Sequence, residues 1–143
     1  MSFDFKLDNG DLTITSKGEL KPVFNDNKLR QDLLKILLTP LGSNPNYPWY
    51  GSPLSEKTIG KALDPAILNM EMTTAIQYAI NNLIELQKRQ IKDGQYASPS
   101  ELIGQILDIN LAPSIYDARQ FNISITVATR RGDIVAESFT LTV

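Results

Sequence analysis

The sequence contains neither cysteine nor histidine in its 143 residues. The absence of cysteine excludes disulfides, thiol nucleophiles and zinc–thiolate sites. The absence of histidine excludes a Ser-His-Asp triad, an imidazole general base and histidine metal sites. Only carboxylates and lysines remain as catalytic groups. The composition therefore favours a protein that is not an enzyme and that uses no metal or cofactor.

The sequence also lacks a basic block and a long apolar run. Basic and acidic residues number six and six in 1–53, five and five in 54–98, and three and five in 99–143. Because nucleic-acid-binding proteins concentrate lysine and arginine on one face, we expect no nucleic-acid partner. No apolar run approaches the roughly 20 residues of a membrane span, so we expect no membrane partner. The length fits a single domain, 1–143.

Three helices are predicted. In the first, the apolar residues at 29, 33, 36 and 37 share one face, the residues at 25–27 are candidate caps, and Pro40 bars continuation. A short helix is expected over 55–61, with Ser55 as its cap. The third begins at Asp64-Pro65 and ends before Gly94, since aspartate caps, proline suits the first turn and glycine favours a left-handed end. At 1.5 Å per residue this helix is roughly 40 Å long.

Strand patterns lie at both ends of the chain. Phe3, Phe5 and Leu7 alternate with polar residues before Asn9-Gly10, which predicts two short strands around a tight turn. Three stretches after residue 102 also alternate, and they predict an antiparallel sheet with one apolar face. The two amphipathic helices are the available cover for that face. We therefore predict an α+β fold in which two or three helices, one of them long, pack on a small C-terminal antiparallel sheet.

The segment 40–53 holds four prolines, Tyr47, Tyr50 and the only tryptophan, Trp49. Proline restricts the backbone, so such a loop can keep one shape without regular hydrogen bonds. Its aromatic residues admit two interpretations: a platform for a sugar, a peptide or a partner protein, or a cap over the core. The polar run Gln87-Lys88-Arg89-Gln90 predicts that the C-terminal end of the long helix is exposed.

Carboxylates leave one enzymatic alternative, a peptidoglycan-cleaving glycosidase of lysozyme type. Such an enzyme needs two carboxylates roughly 5–10 Å apart, one of them a better acid through burial. Glu137 shares a face with Val135 and Phe139, yet a glutamate in such a place usually pairs with an arginine, here Arg119 or Arg130. The full set of glutamates is Glu19, Glu56, Glu71, Glu85, Glu101 and Glu137.

Several ordered motifs resemble a known family. They are Asp4 in an Asp-Phe pair, Gly10-Asp11-Leu12, the stretch Leu-Arg-Gln-Asp-Leu-Leu-Lys-Ile-Leu-Leu-Thr-Pro-Leu-Gly-Ser at 29–43, and Tyr-Gly-Ser-Pro-Leu at 50–54. Together they resemble the baseplate wedge and sheath-initiator family of contractile phage tails, which has a counterpart in type VI secretion baseplates. Members of this family have been called lysozymes. One departure is the missing Glu-Pro-Arg triplet, which helps the family seat on the inner wedge; Pro99-Ser100-Glu101 occupies the corresponding region.

The resemblance implies a structural protein of the virion tail baseplate, assembled in the host cytoplasm. Its implied partners are other baseplate wedge proteins and the tail sheath protein, and the tail tube is a further candidate. Wedge contacts would come from the loop and the long helix. These candidate residues are Tyr47, Trp49, Tyr50, Gln87, Lys88 and Arg89.

The C-terminal strand is the candidate template for sheath assembly. It has one acidic residue, no proline and no lysine, so it lacks the usual protection of a sheet edge and could accept a strand from another chain. The alternative is an edge that the fold itself or a helix covers. The candidate edge residues are Ile134, Val135, Ala136, Glu137, Ser138, Phe139, Thr140, Leu141, Thr142 and Val143.

Overall fold

Four two-residue strands form an N-terminal arm in the computed structural model, which describes residues 3–8, 11–60 and 64–143. The second and third strands pair as the predicted hairpin, whose Asn9-Gly10 turn lies outside the described residues. The first and fourth strands also pair in antiparallel fashion. The strands are β1 (Asp4–Phe5), β2 (Leu7–Asp8), β3 (Asp11–Leu12) and β4 (Pro22–Val23).

The first helix, α1, spans Asn25–Leu38, and its predicted apolar face is fully buried. The predicted caps at 25–27 are wrong, because Phe24 precedes the helix and caps it with no side-chain hydrogen bond. The Asn25 side chain instead accepts a hydrogen bond from the Ser98 hydroxyl at 3.3 Å.

The second helix, α2, spans Leu54–Thr58, which is shorter than the predicted 55–61. Ser55 is not its cap, since Pro53 holds that place and the Ser52 hydroxyl accepts the Leu54 N–H at 3.1 Å. The end of the predicted range, Lys61, lies outside the described residues.

The long helix, α3, spans Pro65–Lys92 as predicted. The Asp64 carboxylate accepts the Ala66 N–H at 2.9 Å, and Gly94 takes the left-handed conformation with φ +87°. The helix buries one apolar stripe against the sheet and α1. None of the helices in the described residues has the length and hydropathy of a membrane span. The buried stripe is Leu68, Met72, Ala75, Ile76, Ala79, Ile80 and Leu83.

The C-terminal sheet confirms the predicted α+β fold. Its strands are β5 (Ile103–Pro113), β6 (Gln120–Thr129) and β7 (Ile134–Thr142), antiparallel in the order β5-β6-β7. A 3₁₀ turn, Pro99–Glu101, joins α3 to this sheet. The apolar face is covered by α1 over β7 and by α3 over β5, which places the core between one helical layer and one sheet.

Candidate functional site

The candidate template strand, β7, lies at an edge of the sheet. It pairs with β6 in one continuous register, from Gln120 opposite Thr142 to Ala128 opposite Ile134. Its other side pairs with no strand in the described part of the chain. Val143 follows the strand and donates its N–H to the Arg119 carbonyl at 2.8 Å.

The backbone of β7 presents alternate residues to solvent. Just beyond the two ends of β7, the Val143 N–H donates to the Arg119 carbonyl and the Asp133 carbonyl accepts the Thr129 N–H at 2.9 Å. Because both 133 and 143 are odd, the odd-numbered residues of β7 are the ones that bond to β6. In an antiparallel ladder the N–H and C=O of intervening residues point the other way. The residues with outward backbone groups are therefore Ile134, Ala136, Ser138, Thr140 and Thr142.

One of these outward groups is already occupied, because α1 packs beside the first half of β7. Arg30 donates a hydrogen bond to the Ala136 carbonyl, and its guanidinium lies 3.9 Å from the Glu137 carboxylate. Glu137 thus pairs with an arginine, as expected, but the candidates Arg119 and Arg130 are wrong, since α1 brings Arg30 to this face. From Ser138 onward, no side chain of α1 bonds to the edge in the described residues, and the Ser138 N–H donates to the carboxylate of its neighbour Glu137 at 3.3 Å.

The opposite edge of the sheet, β5, is built differently. Its register with β6 shifts between Ile103 and Gln105 and again between Ile106 and Asp108. Such bulges, together with the Asp108 charge and Pro113 at the end of the strand, oppose pairing with another chain. β7 has no register shift, proline or lysine. Of the two edges, β7 is the one suited to strand addition.

The loop 40–53 is anchored at its ends and packs on α3. The Ser52 N–H donates to the Thr39 carbonyl at 2.9 Å, which ties the end of the loop to the end of α1. The Trp49 carbonyl accepts a hydrogen bond from Asn82 at 3.2 Å, and the Arg89 guanidinium lies 5.4 Å from the centre of the Trp49 ring. The loop is therefore held in one shape by the long helix.

The aromatic residues of this loop divide between the two interpretations. Tyr47, Trp49 and Tyr50 form a chain of edge-on rings with centroids 6.0 and 6.2 Å apart. Tyr50 packs against the core, as a capping residue would, and burial together with the negative charges of Asp32 and Asp4 raises its pKa to about 12. Tyr47 is exposed, as a platform residue would be.

The predicted exposure of the end of α3 is wrong at Gln87, which is only 4 % exposed. Its side chain donates to the Glu101 carbonyl at 3.0 Å and accepts the Ile103 N–H at 2.9 Å. Buried backbone groups at the start of β5 need such partners, and Gln87 supplies them. Lys88 and Arg89 are exposed as expected, and their contact with a partner stays a prediction.

A polar cavity of about 310 Å³ lies between the arm, α1, α3 and the 3₁₀ turn. Three carboxylates line it: Asp4, Asp32 and Glu101. Burial raises the pKa of Asp32, although Lys28 at 2.8 Å opposes this. Burial is the largest single effect on Asp4 and acts to raise its pKa, but the hydrogen bond and charge of Lys35, together with hydrogen bonds from Phe5 and Gln31, leave that pKa lowered. Sequence reasoning missed this cavity.

The burial of Glu101 had a local signal in the sequence. Glu101 is 2 % exposed, and its carboxylate accepts the Ser98 N–H at 2.8 Å. Ser98 and Glu101 form a capping box, in which a serine is followed three residues later by a glutamate. This spacing is visible in the sequence and marks the turn that holds the glutamate.

The fold defines the chain as an α+β protein whose helices cover one face of a small antiparallel sheet. The solved structure of a Geobacter sulfurreducens protein, described as a "putative tail lysozyme", has this fold with a TM-score of 0.56. The match covers 93 % of this chain and 96 % of that chain at 12 % identity. No protein-family model and no curated protein matches the sequence. The similarity establishes a shared fold.

Proposed function

We propose that this chain is a non-enzymatic structural component of a contractile tail baseplate. In this role it joins wedge proteins and templates sheath assembly by offering the edge of β7. The motif resemblance at 4–54 supports the proposal. The shared fold supports it as well, because the description of the Geobacter sulfurreducens protein names a tail.

The observation that carries the proposal is the unbulged edge of β7. Strand addition requires a row of unpaired N–H and C=O groups in regular register. Thr140 and Thr142 offer two such pairs, and β7 keeps its register along this half. The Ser138 N–H is also outside the β6–β7 ladder, but it donates at 3.3 Å to the carboxylate of the neighbouring Glu137, a contact that an incoming strand would replace. An incoming sheath strand would bond to these residues and extend the sheet by one strand.

The groove beside the start of β7, away from the proposed pairing residues, has more basic than acidic groups and would suit an acidic stretch of the partner outside its pairing strand. An open groove of about 1400 Å³ begins at Ile134 and runs along α1. Complementary charge on a partner would speed association and fix its orientation. The charged groups lining the groove are the basic Lys6, Lys21, Arg30, Lys35 and Arg131 and the acidic Asp26 and Asp133.

A separate surface would make the contact with wedge proteins. It is formed by Trp49, the exposed Tyr47 and the exposed basic end of α3. Tryptophan, tyrosine and arginine are the residue types that most often dominate protein interfaces. Trp49 and Arg89 are already stacked, so little conformational freedom is lost when a partner binds.

Proline at Ser138 tests the role of the edge. A proline there removes an outward N–H that the β6–β7 ladder does not use, so we expect a folded protein whose edge rejects another strand. Baseplates that carry Ser138→Pro should assemble but should not polymerise sheath, as counted by electron microscopy. Deletion of residues 134–143 is a less specific test than the proline substitution, because it also removes the buried Val135 from the core.

The matched control is Ser138→Ala, which keeps the N–H and should leave sheath assembly unchanged. Circular dichroism checks that both variants are folded. Normal sheath on baseplates with folded Ser138→Pro protein would refute strand addition.

A peptidoglycan-cleaving glycosidase is the second candidate. The description of the Geobacter sulfurreducens protein and the presence of the buried Glu101 beside Asp32 in one cavity favour it, although Lys28 pairs with Asp32 at 2.8 Å. Three of the other glutamates weigh against it: Glu71 lies 3.5 Å from Lys57, Glu85 lies 2.9 Å from Lys88, and Glu137 faces Arg30.

We expect no release of soluble fragments when the purified chain is incubated with peptidoglycan. Turnover by the wild type that is lost in Glu101→Gln or Asp32→Asn would replace the structural proposal with the enzymatic one. Glu71→Gln, Glu85→Gln and Glu137→Gln serve as controls, because these three carboxylates do not line the cavity.

A further inference from the structure

Two adjacent large apolar residues, Ile115 and Tyr116, project from the loop between β5 and β6. Ile115 is 89 % exposed and Tyr116 is 91 % exposed, whereas the other exposed large apolar residues of the described chain range from 36 to 69 %. Hydrophobic stabilisation grows with the apolar area removed from water, so this apolar pair contributes little to the stability of the fold. Neighbouring apolar side chains that the fold leaves in solvent favour contact with another molecule.

The loop that carries the apolar pair is held in one shape by hydrogen bonds. The Ser114 N–H donates to the Gln120 carbonyl at 2.7 Å and closes the loop. The Ser114 hydroxyl accepts the Tyr116 N–H at 3.2 Å, and the Asp117 carboxylate accepts the Arg119 N–H at 2.9 Å. Side chains on an ordered loop lose less conformational entropy on binding than side chains on a mobile one. The apolar pair is therefore positioned for contact before a partner arrives.

The loop lies at the same end of the sheet as the C-terminal half of β7. Pro113 pairs with Phe121 and Phe121 pairs with Leu141, so these three residues form one row across the sheet. The loop extends beyond this row, where the Val143 N–H donates to the Arg119 carbonyl. Neighbouring strands are about 4.8 Å apart, so a strand added beyond β7 would lie roughly 15 Å from the start of the loop. A protein that adds a strand to β7 is thus large enough to contact the apolar pair as well.

The charges of the loop favour an uncharged, apolar surface on that partner. The loop has two charged side chains, Asp117 and Arg119, which have opposite signs and lie 3.9 Å apart. They leave the loop with no net charge to attract an acidic or a basic surface. A lipid surface is less well matched than a protein, because membranes attract clusters of lysine and arginine and the single arginine of this loop faces an aspartate.

We propose that Ile115 and Tyr116 anchor the sheath protein by entering an apolar pocket on its surface, as a second contact beside the strand added to β7. This inference rests on the proposed role of the chain in sheath assembly. In strand addition the main-chain hydrogen bonds supply affinity, and side chains that fill pockets supply specificity. The apolar pair would therefore distinguish the sheath protein from other chains that present a strand.

The combined substitution Ile115→Ser and Tyr116→Ser tests the anchor. Baseplates that carry it are mixed with purified sheath protein at increasing concentrations, and those with sheath are counted by electron microscopy. We expect the sheath concentration for half-maximal assembly to rise by about tenfold or more, as is usual when the main anchor of an interface is removed. Because both side chains are exposed, circular dichroism and urea denaturation should give the wild-type fold and stability.

The matched control is Ile115→Val with Tyr116→Phe, which keeps both apolar side chains and should assemble sheath like the wild type. An unchanged half-maximal concentration with the folded serine variant would refute the anchor, and a block by Ser138→Pro in the same assay would leave strand addition standing. Normal sheath with Ser138→Pro but weaker assembly with the serine variant would refute the added strand and support the anchor.

Two further measurements distinguish the sheath protein from other occupants. If the purified chain binds vesicles of phosphatidylcholine and phosphatidylglycerol and the serine variant does not, a lipid surface replaces the protein partner and the proposal fails. It also fails if analytical ultracentrifugation shows a dimer of the wild type that the serine variant does not form, because the apolar pair would then contact a second copy of this chain.

Discussion

Because Gly51 has no side chain, its backbone can lie directly against the end of α1, which holds the aromatic loop there. Its φ of +119° is a conformation that residues with a Cβ rarely adopt, and an added Cβ would lie 2.6 Å from the Thr39 carbonyl oxygen and 3.0 Å from that of Pro40. The loop and the helix end therefore meet backbone to backbone at this point. The geometry places Trp49 and Tyr50 against α3, where the proposed wedge contact lies.

Alanine at Gly51 should destabilise the protein more than alanine at Gly42 in the same loop. Gly42 also has a positive φ, of +80°, but open space surrounds the position of its Cβ. We expect Gly42→Ala to lower the free energy of unfolding by about 1 kcal/mol and Gly51→Ala by about 3 kcal/mol, since the second adds a backbone clash to the strain. Urea denaturation measures both; equal losses would show that the close approach at Gly51 carries no energetic weight.

Buried polar residues were the least predictable part of the chain. The helical pattern of α1 places Gln31 on the polar side, yet it is buried because its side chain accepts the Leu7 N–H at 2.8 Å and donates to the Phe5 carbonyl. Gln87 does the same for the start of β5. Hydrophobic periodicity gives the direction of a side chain but not the backbone groups that a distant segment brings to it.

At the scale of elements, the ends of helices and strands were predicted well where nearby residues determine them. Asp64, Pro65 and Gly94 fixed both ends of α3, and strict alternation over the last two strands fixed β6 and β7. The start of α1 was missed because Phe24, whose side chain has no capping oxygen, holds the N-cap position. A helix that begins without a side-chain cap has no local signal for its first residue.

The two sheet edges show the same difference between features that the local sequence predicts and features that depend on the three-dimensional pairing of strands. The lack of proline and lysine in β7 is visible in the sequence, so its weak protection could be predicted. The register shifts in β5 were not predicted, since they depend on how β5 pairs with β6. Only the three-dimensional pairing makes β7 the better candidate for strand addition.

At the scale of the whole molecule, the helical layer covers one face of the sheet, as the amphipathic patterns required. The position of each helix over a particular strand was not predictable, because periodicity contains no information about lateral order. α1 lies over β7 and reaches its edge through Arg30. The same helix therefore contributes to the core and also occupies part of the β7 edge that we propose as the template for sheath assembly.

Replacement of Arg30 by methionine tests this link between the helical layer and the edge. Methionine keeps much of the apolar contact but removes the hydrogen bond to Ala136 and the charge facing Glu137, so we expect the free energy of unfolding to fall by about 1 kcal/mol. Arg131→Met is the control, because the Arg131 guanidinium lies 3.6 Å from Asp133 in an exposed turn and should contribute below about 0.5 kcal/mol. Urea denaturation compares the two variants. Equal losses would show that the hydrogen bond from Arg30 to Ala136 does not stabilise the packing of α1 on β7.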